Sequence, residues 1–139
     1  MRVGILVLFY NNEEEIVKYE LLNLIKTKSN IVICLVNNGS KDKTLDILKT
    51  INLNSKEYVS VLDIKINKGP NAAVKAGARY LVNNENVNCI VHMKYNMLSH
   101  FRTLKKQIKT NLTVEFLKES RRNKVFKNIF SINQILDIK

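Results

Sequence analysis

The chain has 139 residues, 45% apolar and 25% charged, with 23 Lys plus Arg against 12 Asp plus Glu, for a formal net charge of +11 at pH 7. A chain this long buries about 65 to 70% of its unfolded surface and holds one core without disulfide or metal staples, which excludes disorder as its main state. No stretch approaches the roughly 20 consecutive apolar residues of a membrane span, and the apolar start runs straight into Asn11-Asn12-Glu13-Glu14-Glu15 with no small-residue cleavage site, so a cytoplasmic protein is expected.

Cys34 and Cys89 each sit inside an apolar run with no metal-ligand pattern around them. They read as buried small hydrophobes in a reducing compartment. Charge is unevenly spread: residues 1–93 carry 12 basic and 9 acidic side chains, residues 94–139 carry 11 and 3. The tail is the basic part.

Val3-Gly4-Ile5-Leu6-Val7-Leu8-Phe9 is a continuous apolar run too short for a helix and bounded by turn-prone asparagines, which predicts a strand buried on both faces. Residues 13–26 place Ile16, Val17, Leu21, Leu22, Leu24 and Ile25 at helical spacing behind three acids, which favour the positive end of a helix dipole. Residues 31–36 predict a second buried strand, 41–51 a helix capped by Ser40, and 58–66 a third strand. Pro70 is suited to the first turn of a helix continuing through Ala72, Ala73, Val74, Ala76, Ala78, Tyr80 and Leu81. Residues 88–93 predict a fourth strand. Alternating strands and helices with short connections predict an α/β fold, a doubly wound, mainly parallel sheet.

From Leu98 onward the pattern changes to Phe101, Leu104, Ile108, Leu112, Phe116 and Leu117, then Val125, Phe126, Ile129, Phe130, Ile132, Ile135 and Leu136, separated by Lys and Arg. This predicts two or three amphipathic helices with a break around 120–124. The expected division is therefore 1–98 for the sheet domain and 99–139 for a basic helical tail packed on it. The tail admits three readings: a solvated amphipathic face, a surface for anionic lipid headgroups, or phosphate contacts through Lys105-Lys106, Arg121-Arg122 and Lys124. Nucleic acid is the least favoured, because no helix-turn-helix, zinc or aromatic-platform signature accompanies those cations.

In an open α/β sheet, ligands bind at the carboxyl ends of the strands. Four polar clusters fall there: Tyr10-Asn11-Asn12-Glu13-Glu14, then Asn37-Asn38-Gly39-Ser40-Lys41-Asp42-Lys43-Thr44, then Asn67-Lys68-Gly69-Pro70-Asn71, and finally Lys94-Tyr95-Asn96. Any one of them alone reads as turn and cap chemistry.

Taken in order, the clusters resemble the inverting family-2 glycosyltransferases of the GT-A fold. That family's first strand ends in Tyr-Asn followed by acids, which FYNNEEEI (residues 9–16) matches. Its second ends in an Asp-Asp-Gly-Ser or Asp-Asn-Gly-Ser loop, which NNGSKDKT (37–44) matches at all but the first position. Its third leads to Asn-x-Gly and an Ala-rich helix, which NKGPNAAVKAGARY (67–80) matches. The resemblance covers about residues 1–98 and implies a Rossmann-like nucleotide-binding half.

The resemblance implies a nucleotide-sugar site built from Tyr10, Asn11, Asn37, Asn38, Gly39, Asn67, Gly69, Lys94 and Asn96, with UDP- or dTDP-sugars as candidate donors. Tyr10 and Asn11 would line the base and ribose pocket. Asn37 stands where the family has a base-binding Asp and keeps an acceptor oxygen. Gly39 permits the tight turn, Ser40 and Asp42 cap the next helix, and Asn67 with Gly69 brings backbone near ribose and diphosphate. Lys75 and Arg79, four apart on one helix face, read first as a solvated face and second as phosphate contacts.

Two departures stand out. The family's Asp-x-Asp slot, whose carboxylates hold Mg²⁺ or Mn²⁺ against the diphosphate, reads Lys94-Tyr95-Asn96. A charged lysine does not ligate a cation, so either metal-dependent catalysis is lost or the Lys94 ammonium replaces the metal as a point charge. The acceptor half supplies only Glu115, Glu119 and Asp137, none in a recognisable general-base motif. His92 and His100 read as core or surface histidines. Two functions stay open: a transferase moving sugar from a nucleotide donor to a saccharide or lipid-linked acceptor in surface polysaccharide synthesis, or a truncated, non-catalytic module that binds a nucleotide or a partner protein. The resemblance weighs toward the enzyme. A peripheral station at the inner membrane face and an oligomer completing the site also stay open.

Overall fold

The computed structural model of the chain describes residues 2–16, 18–25, 30–55, 57–110 and 129–136. In chain order these form β1 (Val3–Phe9), α1 (Lys18–Ile25), β2 (Ile31–Asn38), α2 (Thr44–Leu53), β3 (Val59–Ile64), α3 (Pro70–Glu85), β4 (Cys89–Lys94), a 3₁₀ helix (Tyr95–His100), α4 (Phe101–Thr110), β5 (Ile129–Ser131) and α5 (Ile132–Leu136). The strands make one sheet in the order β3-β2-β1-β4-β5, and every neighbouring pair is parallel. The expected doubly wound α/β architecture is the one observed.

Every residue of β1 and β2 is buried, as continuous apolar runs between two helical layers must be. Side chains alternate between the faces. Ile5, Val7, Phe9, Ile33 and Leu35 join Leu21, Leu48, Ile51, Phe101 and Leu104 in one core, which packs α1, α2 and α4 on that face. Leu6, Leu8, Cys34 and Val36 join Ala73, Ala78 and Leu81 in the other, under α3. Each fully buried Ile, Leu or Phe contributes about 1.5 to 3 kcal/mol relative to exposure, so both faces of the central strands are strongly specified.

Apart from shifts of element ends, such as the second helix running Thr44–Leu53 rather than 41–51, the structure differs from the sequence reading at three places. The helix expected from 13 begins at Lys18. Glu13, Glu14 and Glu15 form a turn instead, because the Glu13 amide donates to Asp42 Oδ2 and Glu13 Oε2 accepts from the Lys43 amide, tying that turn to the segment after β2. Ser40 is not the cap of the second helix, since its hydroxyl oxygen accepts from the Asn11 amide. Asp42 takes up the Thr44 amide and hydroxyl instead.

The third difference lies in the tail. Ile129-Phe130-Ser131, read from sequence as part of a helix, is a strand that pairs with Ile90, Val91 and His92 of β4. The uncovered backbone of β4 supplies a ladder that helical spacing alone does not reveal. Within α4, Phe101, Leu104 and Ile108 are buried while Arg102 and Lys106 are exposed, and Lys105 Nζ lies 5.2 Å from the Phe101 ring centre. The expectations on Leu112, Phe116, Leu117, Val125 and Phe126, on the break at 120–124, and on Glu115, Glu119, Arg121, Arg122, Lys124 and Asp137 lie outside the described residues. Among the described residues no helix is long and apolar enough to cross a membrane.

Candidate functional site

Chain order and sheet order diverge at β1: the chain steps outward through β2 and β3, then crosses over to place β4 on the other side of β1. That reversal opens a crevice beyond the carboxyl ends of β1 and β4, the place where open α/β sheets bind ligands. A cavity of about 390 Å³ occupies it. Its walls come from four strand ends: Leu8, Phe9 and Tyr10 after β1, Asn38 from β2, Asn67 and Pro70 after β3, and Lys94, Tyr95 and Asn96 after β4, with Asn12 and Glu15 beside them.

Of the nine residues singled out from sequence, Tyr10, Asn38, Asn67, Lys94 and Asn96 line this cavity. Tyr10 is 48% exposed, so its ring offers an open face. Asn38 is buried, and its Oδ1 has no hydrogen-bond partner. A buried acceptor left unpaired costs about 1 to 3 kcal/mol. Lys94 is exposed at the end of β4.

The other four shape the surrounding loops. Asn11 adopts a left-handed backbone, φ 50, which Asn tolerates better than most residues, and its Oδ1 accepts from the Lys41 amide at 2.8 Å. Asn37 is buried; its Nδ2 donates to Asp63 Oδ1 at 2.9 Å, leaving its own Oδ1 buried without a partner. Gly39 has φ 72, and a Cβ there would lie 2.6 Å from the Asn67 backbone nitrogen. Gly69, φ 99 and ψ 163, occupies the N-cap position of α3 just before Pro70. Gly39 and Asn67 thus hold the segments after β2 and β3 in contact.

Asn12 and Tyr95 belong to the polar clusters of the sequence without an assigned role there, and Glu15 lies just beyond the first cluster. Asn12 Oδ1 accepts from the Tyr10 amide and its Nδ2 donates to Glu15 Oε2, so one side chain sets the Tyr10 backbone and anchors Glu15. The Asn11-Asn12 pair is a turn signal, but the partner choice is tertiary. Tyr95 Oη donates to the Glu15 carbonyl at 2.6 Å, and its ring lies 5.3 Å from that of Phe9 at 41°. No local pattern announces that bridge across the cavity floor.

Two carboxylates beside the site are held low by hydrogen bonds against the effect of burial. Burial pushes the Asp42 carboxyl up, but the Thr44 hydroxyl and the Thr44 and Glu13 amides outweigh it and hold it below the usual carboxylate range. For Asp63 the hydrogen bond from Lys65 leads, burial opposes, and the Asn37 amide and the charges of Lys65 and Lys49 add to it, so this carboxyl is also held low. Burial lowers His92 and pushes the Cys34 and Cys89 thiols up to about 12. Lys75 and Arg79 are both exposed on α3. Arg79 borders a second cavity of about 470 Å³ alongside the end of β3.

The donor set does not fit a divalent cation. Among the described residues Lys94 and Glu15 are the charged ones on the cavity wall, and no group of three or more His, Cys, Asp or Glu is disposed to hold a metal. Mg²⁺ takes carboxylates and phosphate oxygens at near-octahedral geometry, whereas here the ammonium of Lys94 and the amide of Asn96 stand in the two positions of that carboxylate pair.

The family model of glycosyl transferase family 2 matches residues 5–93, and the chain belongs to that family. No curated protein matches it. Among solved structures it is similar to a mannosyltransferase from Pyrobaculum calidifontis in complex with GDP-Man and Mn²⁺, at 18% identity and a TM-score of 0.47, over 57% of this chain and 24% of that one. The chain thus spans about a quarter of the length of that structure.

Proposed function

We propose that the cavity at the switch point binds a nucleotide-sugar donor, and that the chain serves transfer of its sugar to a saccharide or lipid-linked acceptor. The observation that carries this reading is the convergence of Tyr10, Asn38, Asn67, Lys94 and Asn96 from four strand ends on one crevice. The exposed Tyr10 ring suits stacking of a base. The carbonyl oxygen of Asn38, on the cavity wall and without a partner, suits a base or ribose that presents an N–H or O–H donor. UDP- and dTDP-sugars are the candidate donors on the family resemblance, since an unpaired acceptor alone suits the N–H donors of other bases as well. Gly69 and the N-terminus of α3 suit the diphosphate, because orphan amides and the helix dipole favour an anion there. The acceptor class and a place in surface polysaccharide synthesis rest on family membership, and a station at an anionic membrane face rests on the basic composition of the tail.

A second reading, a module that binds the nucleotide without transferring sugar, is favoured by Lys94 in the slot where a carboxylate pair would hold the metal. Calorimetry with UDP, dTDP, GDP and ADP tests the common element of both. Saturable binding of at least one nucleoside diphosphate is expected, and no heat from any of them up to about 1 mM removes both readings. Release of nucleoside diphosphate from the matching nucleotide-sugar then separates transferase from binding module.

A further inference from the structure

We infer that this chain neutralises the diphosphate of its ligand with the Lys94 ammonium rather than with a divalent cation. The inference rests on the nucleotide-sugar reading above and adds to it the identity of the counter-charge. Lys94 is the last residue of β4, in register with Leu8 of β1, so it stands at the lip of the crevice between the two strands that flank the switch point. It is exposed and lines the cavity together with Asn67, Pro70 and Asn96.

The same wall is unsuited to a metal. Among the described residues its carboxylate is Glu15 alone, and Asn96 contributes at most a neutral oxygen. An ammonium among these groups repels a dication, and in a crevice partly shielded from water that repulsion is stronger than in bulk solvent. The features that exclude a cation are those an anion needs. A lysine is a compact point charge with three donors and serves as a phosphate binder in its own right. Pro70, at the first position of the 16-residue helix α3, brings a helix N-terminus to the same cavity, and its dipole adds to the attraction.

The proposal makes the charge covalent, so diphosphate binding is independent of chelators and of added metal. The test is calorimetry of the full chain with the nucleoside diphosphate that binds best and with its parent nucleoside. Each is measured in EDTA and in Mn²⁺, for the unmodified protein, Lys94→Ala and Lys94→Arg. Expected is diphosphate affinity unchanged within about twofold between EDTA and Mn²⁺, a loss of about 10- to 100-fold in Lys94→Ala, and retention within a few-fold in Lys94→Arg. Nucleoside affinity should be the same in all three proteins. Binding that requires Mn²⁺, or an unchanged diphosphate affinity in Lys94→Ala, overturns the inference while leaving the nucleotide reading intact. Failure of nucleoside and diphosphate alike to bind overturns the nucleotide reading, and the inference with it.

Discussion

Asn37 Nδ2 donates to Asp63 Oδ1 at 2.9 Å between two residues that face each other in the β2–β3 register. The bond fixes which way the Asn37 amide points and leaves its carbonyl oxygen as a buried acceptor with no partner. An asparagine in the position where the family has an aspartate is therefore oriented by an aspartate on the neighbouring strand.

Asp63→Ala should destabilise the protein by about 1 to 3 kcal/mol in urea unfolding, because it orphans a buried amide. Asp63→Asn keeps an acceptor oxygen and loses mainly an ion pair to Lys65, whose side chain is 81% exposed; its cost should stay within about 1 kcal/mol. The Asp63 carboxyl is held below its ordinary value, chiefly by Lys65. Its stabilisation is therefore fully present above the unfolded-state value of about 3.9 and is lost as pH falls through the lower folded value. Asp63→Asn should lose less stability than the unmodified chain between about pH 5 and pH 3. Equal acid sensitivity of the two proteins would contradict this.

Gly39→Ala should cost about 2 to 4 kcal/mol, since it combines a backbone at φ 72 with a Cβ 2.6 Å from the Asn67 backbone nitrogen. Gly69→Ala meets no atom within 4 Å of its Cβ despite φ 99 and should cost less, about 1 to 3 kcal/mol from backbone conformation alone. Thermal unfolding of the two variants ranks them. Gly39→Ala should also weaken nucleotide binding, because it pushes the Asn67 wall out of place.

Most of the fold was legible because β1 and β2 are unbroken apolar runs and α3 opens on Pro70, signals that tertiary context does not reverse. The cavity was legible in outline because its polar residues cluster after each strand. What stayed hidden depends on distant partners. Glu13 has the composition of a helical first turn, yet its contacts with Asp42 and Lys43 make it a loop anchor. Ser40 has the form of a cap and bonds to Asn11 instead. Ile129 and Phe130 carry the same apolar pattern in a helix or a strand, and only the open side of β4 decides between them. Tyr95 and Glu15 are 80 residues apart in sequence.

Burial pushes both thiols up to about 12, so neither supplies thiolate at neutral pH. Folded protein should show no reaction of Cys34 or Cys89 with a thiol reagent such as DTNB at pH 8, and both should react in denaturant. Rapid labelling of either in the native state would contradict the two-core packing around the sheet.

The side-chain amides of the cavity report ligand binding directly. In a ¹H–¹⁵N titration with the nucleoside diphosphate that binds best, the Nδ2 resonances of Asn12, Asn38, Asn67 and Asn96 and the backbone amide of Tyr10 should shift in one saturable transition. Amides at the opposite end of the sheet, such as Asn30 and Asn88, should stay in place. Shifts confined to α4 and the basic tail, with the cavity asparagines unmoved, would contradict a nucleotide site at the β1–β4 switch point.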